Sequence, residues 1–66
     1  MRTRDEIEAE LHRLGWRIAS GPTQTPAGWK VIGQYGTASV PLLGGTELGV
    51  LEELLRYAQR RGGAKR

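Results

Sequence analysis

The chain has 66 residues and no cysteine, so it suffices for one small domain and offers neither disulfides nor thiolate metal ligands. Its net charge is +3, and no apolar run approaches the roughly 18 residues of a membrane-spanning helix. Residues 1–4 also lack the apolar segment of a secretory signal. We therefore expect one cytoplasmic domain over residues 1–63, followed by a short basic C-terminal tail, 64–66, with no membrane association.

A capped amphipathic helix is predicted near the beginning of the chain. Thr3 and Glu6 have the spacing of a capping box, in which each side chain bonds the backbone amide of the other residue. The apolar residues of this segment share one helix face: Ile7, Leu11 and Leu14. Gly15 predicts the end of the helix, with Trp16 folding back onto the apolar stripe.

From Trp16 onward the apolar residues alternate with a period of two, which indicates strands over residues 16–20, 28–35 and 38–42. Residues 21–27 and 43–45 are predicted loops, and Gly36-Thr37 is a predicted tight turn. Pro41 lacks an amide hydrogen, so the third strand should lie at a sheet edge or end there. Gly33 falls on an apolar strand face, which indicates a bulge or a closely approaching helix.

The alternation predicts one apolar sheet face and one open face. The apolar face is expected to contain Trp16, Ile18, Trp29, Val31, Tyr35, Ala38, Val40 and Leu42. The open face is expected to contain Arg17, Ala19, Lys30, Ile32, Gln34 and Ser39. An apolar face of this size needs cover from the two helices.

A second capped helix is predicted after the strands. Thr46 is a good N-cap and Glu47 suits the first turn. A wide apolar stripe follows, formed by Leu48, Leu51, Leu54, Leu55 and Ala58. Gly62 and Gly63 predict its end. The fold class is therefore α+β, in the order α-β-β-β-α, with two helices on one face of a three-stranded antiparallel sheet.

The basic residues are the candidate nucleic-acid contacts. The excess of positive charge is concentrated in residues 54–66, and a basic end attracts polyanions, although a solubilising tail has the same composition. The candidate nucleic-acid-binding residues on the sheet and at the C-terminal end are Arg17, Lys30, Arg60, Arg61, Lys65 and Arg66.

The element order resembles that of the double-stranded-RNA-binding domain, and Gly21-Pro22 is similar to a step in that family's loop between strands one and two. Those domains grip duplex phosphates with lysines at the start of the last helix. The corresponding region here carries carboxylates, namely Glu47, Glu52 and Glu53. Thr23-Gln24 also stands where that family has a loop histidine. The resemblance therefore implies the fold without duplex binding in that mode.

The chain is also similar to HicA-type mRNA interferase toxins over most of its length. The residues that carry this resemblance are Leu14-Gly15-Trp16, Ser39-Val40-Pro41, a glycine-containing connection, and the leucine-rich helix from Thr46 to Leu55. Those toxins have a catalytic histidine in a Gly-Ser-His at the start of strand two, where this chain reads Ala27-Gly28-Trp29-Lys30. The resemblance therefore implies a relative without the toxin's chemistry.

The sequence shows no catalytic or metal-ligating constellation and no cofactor motif, so we expect a non-enzymatic nucleic-acid-binding or regulatory module. One alternative is a protein–protein interaction module, such as a phage or mobile-element accessory factor, either monomeric or homodimeric. It would use the open sheet face around Ala19 and Ile32, or the edge of the third strand. A further alternative is a degenerate ribonuclease toxin that depends on His12, which is expected to face outward from the first helix.

Overall fold

The computed structural model describes residues 3–61, except for the side chain of Arg61. Its elements are α1 (Arg4–Arg13), β1 (Trp16–Thr25), β2 (Gly28–Tyr35), β3 (Ala38–Gly44) and α2 (Glu47–Arg61). The strands form one antiparallel sheet in the order β1-β2-β3. The predicted α-β-β-β-α fold is thereby confirmed, whereas the glycine pair at 62–63 and the basic tail at 64–66 lie outside the described residues.

Helix α1 begins and ends as its sequence predicts. The Thr3 Oγ1 accepts a hydrogen bond from the Glu6 amide at 3.3 Å, and Glu6 Oε1 accepts one from the Thr3 amide at 2.9 Å. Gly15 follows the helix with a φ of 87°, a left-handed conformation that favours glycine. Its amide donates to the carbonyl of His12 at 3.0 Å. The chain therefore turns sharply into β1.

The two helices run side by side in the same direction. Arg4 joins their first turns, because its Nε donates to Glu8 Oε2 at 2.8 Å and its Nη1 donates to Glu47 Oε2 at 3.0 Å. The hydrogen bond that Arg4 donates to Glu8 raises the pKa of the Arg4 guanidinium further above its ordinary value. Near the other end of α2, the Tyr57 ring meets Trp16 edge-on with centroids 5.8 Å apart.

Both helices and the sheet contribute to a single apolar core. Its buried side chains are Ile7, Leu11, Trp16, Val31, Val50, Leu51, Leu54, Leu55 and Ala58. The predicted stripe of α2 omits Val50, which is fully buried and packs directly on Gly44, where an added Cβ would lie 2.9 Å from the Val50 Cα. Gly33 lies under α2, and a Cβ there would come within 2.5 Å of Leu54 Cδ1. The predicted close approach of a helix to Gly33 is confirmed.

Strand β1 is longer than predicted. The predicted loop over residues 21–27 is wrong, because β1 continues to Thr25 and only Pro26 and Ala27 form the turn. The pairing of β1 with β2 shifts register between Ile18 and Ser20 and again between Ser20 and Thr23. Gly21 and Pro22 disfavour regular strand geometry, and these register shifts allow them to lie inside β1. Ser20 consequently pairs with Ile32 on the open face.

The ends of β2 and β3 also differ from the prediction. Leu43 and Gly44 belong to β3 rather than to a loop, because they pair with Lys30 and Trp29 of β2. Tyr35 and Ala38 share the predicted apolar face with Trp16 but are exposed, because they close the two-residue turn at the end of the sheet. The edge position predicted for β3 from its proline is confirmed.

Candidate binding surfaces

The strand registers arrange the open sheet face as three rows that cross the strands. The first row is Arg17, Gln34 and Ser39, the second is Ser20, Ile32 and Pro41, and the third is Thr23, Lys30 and Leu43. Antiparallel partners point to the same side of a sheet, so the side chains of each row are neighbours. Ala19 is exposed but falls in the first register shift and has no partner in the register.

The open face is basic and contains no acidic residue. Its cations, Arg17 and Lys30, are exposed and have no ion pair within residues 3–61. The helical arginines differ: besides Arg4, Arg13 lies 3.0 Å from Glu10 and Arg56 lies 3.4 Å from Glu53. The structure therefore separates arginines that neighbouring carboxylates neutralise from sheet cations whose charge is available to a ligand.

The two sheet cations lie at opposite ends of the open face. Arg17 pairs with Gln34, whereas Lys30 lies four residues before Gln34 on β2. At about 3.3 Å per residue, the two positions are roughly 13 Å apart along the strand. The sequence placed both residues on one face correctly, but they do not form one patch.

Arg17 lies at the same end of the molecule as the C-terminal part of α2. Arg60 is exposed one helical turn after Tyr57, and Tyr57 contacts Trp16, the neighbour of Arg17. We call this end of the molecule the basic end; it carries Arg17 on the open sheet face and Arg60 on the side covered by α2. Arg60 also stabilises the negative end of the α2 dipole. The other predicted contacts, Lys65, Arg66 and the side chain of Arg61, lie outside the described part of the chain.

A groove of about 470 Å³ between α1 and β1 opens at this basic end. His12 and Arg17 both line it, together with Glu8, Leu11 and Ile18. His12 is exposed, as predicted. Sequence spacing could not show that it shares a groove with Arg17, because the turn at Gly15 brings the two residues together.

A second concave surface lies at the opposite end of the open face, and we call it the hairpin depression. It has a volume of about 610 Å³ and is lined by Thr25, Pro26, Ala27, Lys30, Pro41, Leu42 and Leu43. Leu43 is 57% exposed, the highest value among the large apolar side chains described. Sequence reasoning missed it by assigning Leu43 to a loop, although its two-residue spacing from Pro41 continues the strand alternation.

Within residues 3–61 no three His, Asp or Glu side chains come together in a group that could hold a metal ion. Neither described helix is long and apolar enough to cross a membrane.

No family model matches the chain, and comparisons with curated proteins and with solved structures find no match. The function is therefore inferred from the surfaces themselves.

Proposed function

We propose that this chain is a small cytoplasmic, non-enzymatic module that binds nucleic acid through its basic end, and that it is a relative of HicA-type toxins without their chemistry. The observation that carries this proposal is Arg17, an exposed guanidinium without a carboxylate partner in the described chain, on strands that contain no acidic residue. A guanidinium binds phosphate oxygens with paired hydrogen bonds. Arg60 adds a second cation at the same end.

Single strands suit this end better than duplexes. Tyr35 is 45% exposed and stacks on Trp16 with centroids 5.2 Å apart, so an exposed aromatic ring lies at this end of the sheet, on the face opposite Arg17. Nucleobases that are free of a duplex stack on such rings, while arginines contact the backbone. Glu47 at the start of α2 opposes the duplex-binding mode of double-stranded-RNA-binding domains.

The test is a fluorescence-anisotropy titration with single-stranded RNA, duplex RNA and duplex DNA of about 20 nucleotides, at about 50 and 200 mM salt. Single-stranded RNA should bind most tightly, and its affinity should fall as salt rises because phosphate contacts release counterions. The double variant Arg17→Gln/Arg60→Gln should weaken binding and reduce the slope of log K against log salt by about 1.4.

The matched control is Arg13→Gln/Arg56→Gln, which also removes two arginines, both already paired with helical carboxylates. It should leave the affinity close to that of the parent protein. Binding weaker than about millimolar at 50 mM salt would end the proposal, since several phosphate contacts produce at least non-specific affinity there. An equal loss in the control would show that only net charge matters.

A protein–protein interaction module is the second candidate, and the composition of the open face favours it. Ile32, Pro41 and Leu43 form an apolar centre, and polar residues surround it, as at protein interfaces. Sedimentation velocity tests this candidate. A dimer or complex that Ile32→Glu disrupts supports it, whereas a strict monomer that binds RNA opposes it.

A further inference from the structure

We propose that the hairpin depression is a docking site for a segment of a partner protein that presents a large apolar side chain beside a carboxylate. This inference deepens the interaction function proposed above and rests on it. It does not depend on nucleic-acid binding at the basic end, which lies at the other end of the sheet.

The depression is a shallow, mostly apolar concavity of about 610 Å³ beside a braced turn. One wall is the β1–β2 turn, which the Thr25 side chain braces. Its hydroxyl donates to the Gly28 carbonyl at 2.8 Å and accepts from the Ala27 amide at 3.2 Å. The exposed side chains of Pro41 and Leu43 lie beside this turn.

The positive charge of Lys30 determines which kind of apolar partner segment suits the hairpin depression. Among the described residues that line the depression, Lys30 alone is charged, and no described carboxylate pairs with it. Its ammonium group is the natural counterion for an acidic ligand, while its methylene chain adds to the apolar lining. A second copy packed sheet against sheet would offer Lys30 no counterion, since the strands contain no acidic residue.

The edge of β3 offers only an interrupted ladder for an added strand. Tyr35 and Ala38 close a two-residue hairpin, and hydrogen-bonded and non-bonded pairs alternate from that closing pair. Residues 39, 41 and 43 therefore direct their backbone groups away from β2. Pro41 has no amide hydrogen to donate, so an added strand could not pair along the whole edge. The partner segment is recognised by its side chains.

The experiment is an amide ¹H–¹⁵N NMR titration of the full chain with a peptide of alternating leucine and glutamate, about eight residues long. Saturable shifts are expected at the amides of Ala27, Lys30 and Leu43. Lys30→Glu should weaken binding of this peptide at least about threefold, as loss of an exposed ion pair implies. The same variant should bind a matched leucine–lysine peptide more tightly than the parent protein does. Arg56→Glu, the same charge change on α2, should leave the titration unaltered.

Three results would overturn the inference. The first is the absence of saturable shifts at these amides in a protein whose spectrum remains dispersed. The second is that an oligouridine RNA shifts the same amide signals more than the peptide does, which would show that nucleic acid binds this face. The third is a concentration dependence of these amides without any peptide, which would identify a second copy as the occupant. Lys30→Gln serves as a second variant if Lys30→Glu does not fold.

Failure of this inference can be told apart from failure of the interaction function. A complex or dimer that Ile32→Glu disrupts, combined with no peptide shifts at the depression, would leave the interaction function standing and remove the acidic segment as its ligand.

Discussion

Replacing Gly33 with alanine tests the central packing contact of the fold. A Cβ at this position would lie 2.5 Å from Leu54 Cδ1 and 3.0 Å from Leu54 Cδ2. Leu54 is fully buried in the core, so its side chain cannot swing into solvent to make room. The added methyl group must therefore push α2 away from β2 or force Leu54 into a poor rotamer.

The expected cost follows from two opposing effects. Overpacking a well-filled core typically costs about 1–3 kcal/mol. Alanine also lowers the conformational entropy of the unfolded chain, which offsets about 0.4–1 kcal/mol of this cost. The free energy of unfolding should therefore fall by about 1–2 kcal/mol, and the melting temperature by roughly 5–15 °C for a domain of this size. That is a large fraction of the total stability of so small a domain.

The assay is thermal and urea denaturation followed by circular dichroism, with Gly45→Ala as the matched control. A Cβ at Gly45 meets no atom within 4 Å, so this substitution should be neutral or slightly stabilising. Leu54→Ala alone should cost about 2–5 kcal/mol. In the double variant the new methyl group partly fills the vacated space, so the total cost should be about 1 kcal/mol less than the sum of the single variants.

Two results would refute this reasoning. If Gly33→Ala were as harmless as Gly45→Ala, α2 would not lie directly on β2 at this point. If the costs of Gly33→Ala and Leu54→Ala simply added, the clash would not involve Leu54.

Three smaller predictions follow from other contacts. Thr46→Ala should destabilise the protein by about 1 kcal/mol in urea denaturation, because the hydroxyl accepts the Gly49 amide at 2.9 Å at the start of α2. Trp16→Phe should cost about 1 kcal/mol or less by the same assay, since the indole Nε1 is buried without an acceptor within residues 3–61, whereas Trp16→Ala should cost about 3–5 kcal/mol. Labelled RNA should remain intact on a denaturing gel with either the parent protein or His12→Ala, and cleavage that this substitution abolishes would instead support a ribonuclease.

Some of the fold depends on interactions between residues that are close in the sequence, and these could be predicted. The capping box at Thr3 and Glu6, the left-handed Gly15 and the apolar stripes of both helices are of this kind. Alternation with a period of two likewise placed Arg17 and Lys30 on one sheet face. In each case the relevant geometry is set within one or two turns of helix or a few residues of strand.

The errors occurred where pairing with a distant strand outweighs local preference. Gly21 and Pro22 are loop-forming residues, yet β2 holds them inside β1 at a register shift. The close packing at Gly21, where a Cβ would lie 2.5 Å from the Lys30 carbonyl oxygen, needs a residue without a side chain in that strand. The predicted loop at Leu43 is wrong for the same reason. Leu43 is held in β3 by pairing with Lys30, and the residues adjacent to Leu43 in the sequence do not indicate this pairing.

The candidate binding surfaces also combine features set by local sequence with features set by contacts between distant parts of the chain. The charged residues, the side of a strand that they occupy and the start of each helix follow from bonded neighbours and short periodicities, so local sequence predicts them. That Arg17 lies at the same end of the sheet as Arg60, and Lys30 beside an apolar depression at the other end, is apparent only in the folded chain. Which residues share an end of the sheet depends on the strand register and on the direction of α2 across the sheet. Both are set by packing between residues far apart in the chain.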